Sequence, residues 1–207
     1  MSTKPQSIDA QLRSKIYGHG RGWVFTRKHF QGLGSTAAIE SALRRLRQEG
    51  VIRLLARGLY DYPVQHSVLG TVAPSADAVA RALAGRDAIR LQPSGAYAAN
   101  VLGLSEQVPS RIVFLTDGPS HRVKLGKQEI ILKQTVPRNV AAAGRKGGTV
   151  IQALRYLGKD QVTDEVRAIL RRQITDEDRP ALLRDLVHAP AWIADLLRPL
   201  TEPVSKP

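Results

Sequence analysis

The sequence predicts an α+β protein of two domains, and three observations carry that prediction. Apolar helical repeats alternate with short β-rich runs over residues 1–66. Alternating runs between Arg111 and Val136 read as a small antiparallel sheet, and amphipathic helical segments fill the chain from Thr149 onward. The expected division is an N-terminal unit over 1–66 and a second α+β unit with a helical C-terminal region over 67–207. With 207 residues, 43% of them hydrophobic, both units can bury a core. There is no cysteine, which excludes disulfides and thiolate-held zinc and fits a cytoplasmic setting. The start "MSTKPQSIDAQLRSKI" has no secretory apolar run, and no stretch approaches the roughly 18 apolar residues of a membrane span.

Ser7 caps a first helix whose Ile8, Leu12 and Ile16 recur at i, i+4 and i+8 on one face, and "GHGRG" ends it. "WVFT" is a short strand, and "RKHFQGL" a second short helix stopped by Gly34. Ser35 or Thr36 caps a third helix running to about Glu49 and Gly50. Its apolar stripe is Ile39, Leu43 and Leu46; at 100° per residue, Ala37, Ser41, Arg44 and Gln48 point away, with Arg45 and Arg47 on the flanks. "VIRLLA" and "LYDYP" then form strands around an Arg57-Gly58 hairpin turn.

Helix, strand, helix, helix, hairpin is the order of a winged helix-turn-helix, whose third helix enters the major groove while the hairpin grips flanking backbone. Charge agrees: residues 1–66 hold eleven Lys/Arg against four Asp/Glu, residues 67–148 eleven against five, and residues 149–207 nine against nine, within a net +13. Such a field attracts polyanions. Small residues early in the third helix permit close approach, and later arginines reach bases or phosphates. The expected DNA contacts are Ser35, Thr36, Ser41, Arg44, Arg45 and Gln48 on the helix, with Arg53 and Arg57 on the wing facing phosphate. Glu40 departs from this pattern, unless it accepts from a cytosine amino group or pairs with Arg44 at i+4.

"GWVFTRKHF", "AIESALRRLRQEGVIRLLARGLYDYP" and "GLSEQVPSRIVFLTDG" resemble the AbiEi-type antitoxins, in their branch of short proteins described as a domain of unknown function. The resemblance covers most of residues 8–140 and is weaker over the last sixty. It implies a winged-helix DNA-binding domain, an antitoxin region behind it, and autorepression of a toxin–antitoxin operon. The usual neighbour is a nucleotidyltransferase-like toxin; composition and spacing say nothing of that partner.

Beyond "VQHSVLGTVAPSA", expected as a linker, helices are expected over Ser75–Ala84 and over "LQPSGAYAANVLGL". "RIVFLTDG", "HRVKLG" and "EIILKQTV" are strands, with turns at Asp117-Gly118 and Gly126-Lys127. Asp117, Glu129 and Lys133 invite comparison with a metal-dependent nuclease core, but Glu129 and Lys133 are four apart where such cores want acid and lysine two apart. His19, His29, His66, His121 and His188 are dispersed without metal-ligand spacing. "AAAGRKGGT" lacks the serine or threonine of a phosphate loop after Lys146 and reads as a flexible basic connection. Helices from Val150 onward, one of them capped by Thr163, make up the last part of the chain, with Pro180 sitting early in its helix or breaking it and "AWIADLLRPL" following.

The resulting expectation is a non-catalytic DNA-binding antitoxin, with no cofactor or metal, that binds double-stranded operator DNA. The alternatives are a plain winged-helix regulator with a ligand-binding second domain, and a nuclease built on the middle sheet.

Overall fold

The computed structural model describes residues 7–85 and 89–201. The chain divides into two compact units, Met1–Ala88 and Ile89–Pro207, and the fold class is α+β as expected. Among the described residues no helix is long and apolar enough to cross a membrane.

In the first unit, helix α1 spans Ile8–His19, with Ser7 Oγ accepting from Ala10 N at 3.2 Å. Strand β1 is Val24–Thr26, and Arg27–Phe30 forms a 3-10 turn rather than a longer helix. Thr26 N donates to His29 Nδ1 at 3.1 Å, a local cap that holds the turn short. Helix α2 spans Thr36–Gln48 and is capped by Ser35. It ends in a Schellman arrangement: Val51 N donates to Leu46 O at 2.9 Å and Gly50 N to Arg47 O at 3.0 Å, with Gly50 at φ +71°. Strands β2 (Arg53–Ala56) and β3 (Leu59–Asp61) form the wing, and the sheet order is β1-β3-β2, all antiparallel. The topology is winged-helix-like. Leu12, Ile16, Phe25, Phe30, Ile39, Leu43, Leu46 and Ile52 bury against one another, so α1, the 3-10 turn and α2 share one core with β1.

The segment expected as a linker is a small hairpin, β4 (Gln65–His66) with β5 (Gly70–Thr71). Its turn is shaped by His66 Nδ1, which accepts from Val68 N and Leu69 N at 3.2 Å each. Alternation over two-residue strands is too short for periodicity to show. Helix α3 (Ala76–Ala84) packs beside β1. The expected boundary after residue 66 therefore falls inside the first unit.

The second unit opens with β6 (Leu91–Ser94), where a helix was expected over "LQPSGAYAANVLGL"; the helix α4 starts only at Gly95 and runs to Val101. Pro93 sits in this strand at the sheet edge, where its missing N–H costs no ladder bond. Strands β7 (Arg111–Thr116), β8 (His121–Leu125) and β9 (Gln128–Gln134) follow. The sheet order is β6-β7-β9-β8 and β7 runs parallel to β9, so the sheet is mixed rather than antiparallel. The loop 117–120 steps over the end of β9, pinned where Ser120 Oγ accepts from Gln134 N at 3.0 Å. Sequence periodicity identifies strands but not their spatial neighbours, and direction follows from neighbours.

Helices α5 (Lys146–Leu157), α6 (Asp164–Gln173), α7 (Arg179–Asp185) and α8 (Ala191–Thr201) pack with α4 around Val150, Leu154, Leu170, Leu182, Ile193 and Leu197. "AAAGRKGGT" is not a flexible connection. Arg145 clasps the buried Asp185 (Nε–Oδ1 3.0 Å) and Lys146 Nζ donates to Asp178 Oδ2 at 2.6 Å and to Gln173 O at 2.7 Å. Gly147 and Gly148 are buried because Asp185, Gln92 and the Ala142 carbonyl occupy the space a side chain would need.

Candidate nucleic-acid interface

Helix α2 turns Ile39, Ala42, Leu43 and Leu46 into the core, which leaves Thr36, Ala37, Glu40, Arg44, Arg47 and Gln48 exposed along the opposite side. Ser41 is half-buried, and Ser35 spends its hydroxyl as the cap, accepting from Ala38 N at 3.3 Å. Arg44 and Arg47 have no ion-pair partner among the described residues. They can therefore reach outward as free cations on flexible stems.

The two flanks of α2 differ. On one, Arg45 is held by Asp9 of α1, its Nε donating to Asp9 Oδ2 at 2.8 Å and its Nη2 to Oδ1. That bond holds the Asp9 carboxyl below its ordinary range and tightens the hold of Arg45 on its proton. Arg13 of α1 pairs likewise with Glu49 just past the end of α2. Arg45, expected as a DNA contact, thus ties α1 to α2. On the other flank, Glu40 pairs with Arg27 of the 3-10 turn and not with Arg44. The charge that would repel phosphate is neutralised locally, and Arg44 stays unpaired among the described residues.

The wing separates its two arginines in the same way. Arg53 and Asp61 are register partners across β2 and β3. Arg53 Nε donates to Asp61 Oδ1 at 3.0 Å, its Nη2 to Oδ2 at 2.5 Å, and Nη2 also to Val72 O at 2.9 Å. Expected to face phosphate, Arg53 is instead committed to a carboxylate only 1% exposed and to the segment behind the wing. Arg57 stands exposed at the turn beside Gly58 (φ +75°), with no ion-pair partner among the described residues. The Leu54/Ala56 register shift places a bulge just before that turn, which twists the wing.

Among the described residues of this unit, the exposed cations without an ion-pair or hydrogen-bond partner are therefore Lys28, Arg44, Arg47 and Arg57, with Arg81 apart from them on α3. Lys28, Arg47 and Arg81 were not among the expected contacts. Helical phase puts Arg47 on a flank, like Arg45; only the packing of α1 against one flank distinguishes them.

The nuclease-like trio is not assembled. The β7–β9 ladder sets Arg111 beside Glu129 at one end and Thr116 beside Gln134 at the other, with Asp117 just beyond. Asp117 accepts from Arg90 Nε and N at 2.8 Å, which holds its carboxyl below the ordinary range. Among the described residues no group of three or more His, Asp or Glu side chains is placed to hold a metal ion.

Residues 11–181 match a family described as a family of unknown function, DUF6088. Neither the curated proteins nor the solved structures contain a match.

Proposed function

The chain belongs to the DUF6088 family, and from that premise we propose that it is a double-stranded DNA-binding antitoxin of the AbiEi type, acting in the cytoplasm as autorepressor of its own operon and countering a nucleotidyltransferase-like toxin. The observation that carries DNA binding is the pairing pattern on the winged-helix unit. Arg45 and Arg53 are spent on internal carboxylates, while Arg44 and Arg47 on α2 and Arg57 on the wing have no ion-pair partner among the described residues. Cations without partners on a groove-sized helix and a hairpin turn suit phosphates and base edges. Antitoxicity and the toxin partner rest on the sequence resemblance.

Gel shifts with the chain's own upstream region and with random duplex at fixed salt test the first part. Arg44→Ala with Arg47→Ala is expected to weaken the upstream site more than random duplex. Equal loss on both removes the base-reading role. Co-expression with the product of the adjacent gene tests the second part: rescue from its toxicity supports the antitoxin, and no rescue overturns it.

A second reading, a regulator whose second unit takes a small ligand, is favoured by an open pocket of about 200 Å³ lined by Lys159, Val162, Arg167, Trp192 and Leu196. An unrelated metabolic gene next door, together with ligand-dependent release of DNA, would support that reading over the antitoxin.

A further inference from the structure

The sheet of the second unit carries a charged face that the winged-helix reading does not use. Register places Arg111, Glu129 and Lys124 in one row across β7, β9 and β8. The next row holds Val113, Ile131 and Arg122, and the next Leu115 and Lys133. Residues two apart on a strand share a face, so all four cations point to the same side. Arg111, Arg122, Lys124 and Lys133 are all exposed. The side chain of Glu129 is 21% exposed and lies between Arg111 at 3.2 Å and Arg122 at 3.4 Å. One carboxylate thus answers two arginines, and Lys124 and Lys133 have no ion-pair partner among the described residues.

Charges on β8 alone would have a simple explanation, since β8 is an edge strand and exposed lysines and arginines there block pairing with another chain. That explanation does not reach Arg111 or Lys133, which stand on β7 and β9, the interior strands of the sheet. Interior strands have both edges filled and gain nothing from such guards. The cations of successive rows are about 7 Å apart along the strands. Lys124, Arg122 and Lys133 stand in three successive rows, a spread that a polymer of phosphates can follow. β7, β9 and β8 place no aromatic residue on this face, so these strands offer bases nothing to stack on.

We propose that this face is a second, sequence-independent surface for a nucleic-acid phosphodiester backbone, with Arg122, Lys124 and Lys133 as its phosphate contacts and Arg111 completing the cluster around Glu129. It lies in a different unit from α2 and the wing and does not depend on their reading. An acidic protein is the competing partner. The long polyanion is favoured because the chain is basic in both units and these cations follow one another in successive rows.

The test uses the full chain and fluorescence anisotropy on random-sequence duplex DNA and on duplex RNA, with poly-glutamate as the acidic-polypeptide control, across a salt series. Arg122→Ala, Lys124→Ala and Lys133→Ala together are expected to lower affinity and flatten the log-affinity against log-salt slope by about 2 to 3, near 0.9 per lost contact. Lys124→Arg with Lys133→Arg is expected to bind as the parent. Loss on DNA alone, or on both polymers, supports the proposal and says which backbone is held. An unchanged slope and affinity on both overturns it, as does a loss confined to poly-glutamate. If the triple variant aggregates through its uncharged edge, Lys133→Gln on the interior strand decides instead: a slope lowered by about 1 supports the face and no change overturns it. Loss in the sheet variants with none in the Arg44/Arg47 variant would sink the reading of α2 and leave this one standing.

Discussion

Arg53 and Asp61 face each other as register partners across the wing, and the guanidinium covers both oxygens of a carboxylate that is 1% exposed. Arg53→Ala leaves that carboxylate buried and unpaired. The expected loss is about 1–3 kcal/mol of stability in the first unit. Urea denaturation followed by Trp23 fluorescence, in a Trp192→Phe background, measures it. An Arg53→Ala chain as stable as the parent that binds DNA more weakly would return Arg53 to the interface.

Arg57 has no such partner among the described residues. Arg57→Ala is expected to leave the melting temperature unchanged, to weaken operator and random duplex alike, and to flatten the salt slope by about 1. Selective loss on the operator would mean that the wing reads bases.

Asp9 restrains Arg45. Asp9→Ala removes one negative charge and frees one guanidinium beside α2. Random-duplex affinity should therefore rise and the salt slope steepen by about 1. Weaker binding would show that the α1–α2 clasp positions the interface and does not merely withhold a cation from it.

Acid should loosen both units. The Asp9 carboxyl is held low by Arg45 and the Asp117 carboxyl by Arg90. A carboxyl whose folded pKa is depressed contributes stability that is complete above its unfolded value, near 3.9, and is lost as pH falls through the folded one. The melting temperature should therefore hold steady from neutral pH down to about pH 5 and fall below about pH 4. Asp117→Asn should reduce the part of that fall belonging to the second unit. An identical acid profile in Asp117→Asn would assign the fall to other groups.

Gly148 lies inside α5 where a Cβ would meet Gln92 Oε1 and come within 2.5 Å of the Ala142 carbonyl oxygen. Alanine normally strengthens a helix by about 1 kcal/mol over glycine. Here Gly148→Ala is expected to lower the stability of the second unit by about 1–3 kcal/mol, because backbone must shift to admit the methyl group. Thermal denaturation followed by circular dichroism distinguishes the two signs.

Much of the first unit was legible in its sequence because its signals are local. Ser7 and Ser35 cap where expected, Leu12 and Ile16 are buried as their spacing implies, and Gly50 and Gly58 turn the chain where the periodicity breaks. The second unit was legible in part. "LQPSGAYAANVLGL" hides a strand before its helix, because Leu91–Ser94 is too short and too small-residued to alternate visibly. The basic "GRKGG" run looked loose because its partners, Asp178 and Asp185, lie more than thirty residues away.

The sequence by itself determined the α+β class, the order of helix, strand and wing, and the excess of positive charge over the first two thirds of the chain. Each of these depends on residues within a few turns of one another or on a simple count. Only the tertiary structure decided which cations remain available. Arg44, Arg45 and Arg47 are alike in type, neighbourhood and exposure, yet Asp9, thirty-six residues away, claims Arg45, and the other two have no ion-pair partner among the described residues. The parallel pairing of β7 with β9 likewise brought Arg111 and Lys133 to one face with Arg122 and Lys124. A charge is spent or free according to what folding sets within a few ångströms of it, and chain order does not record that distance.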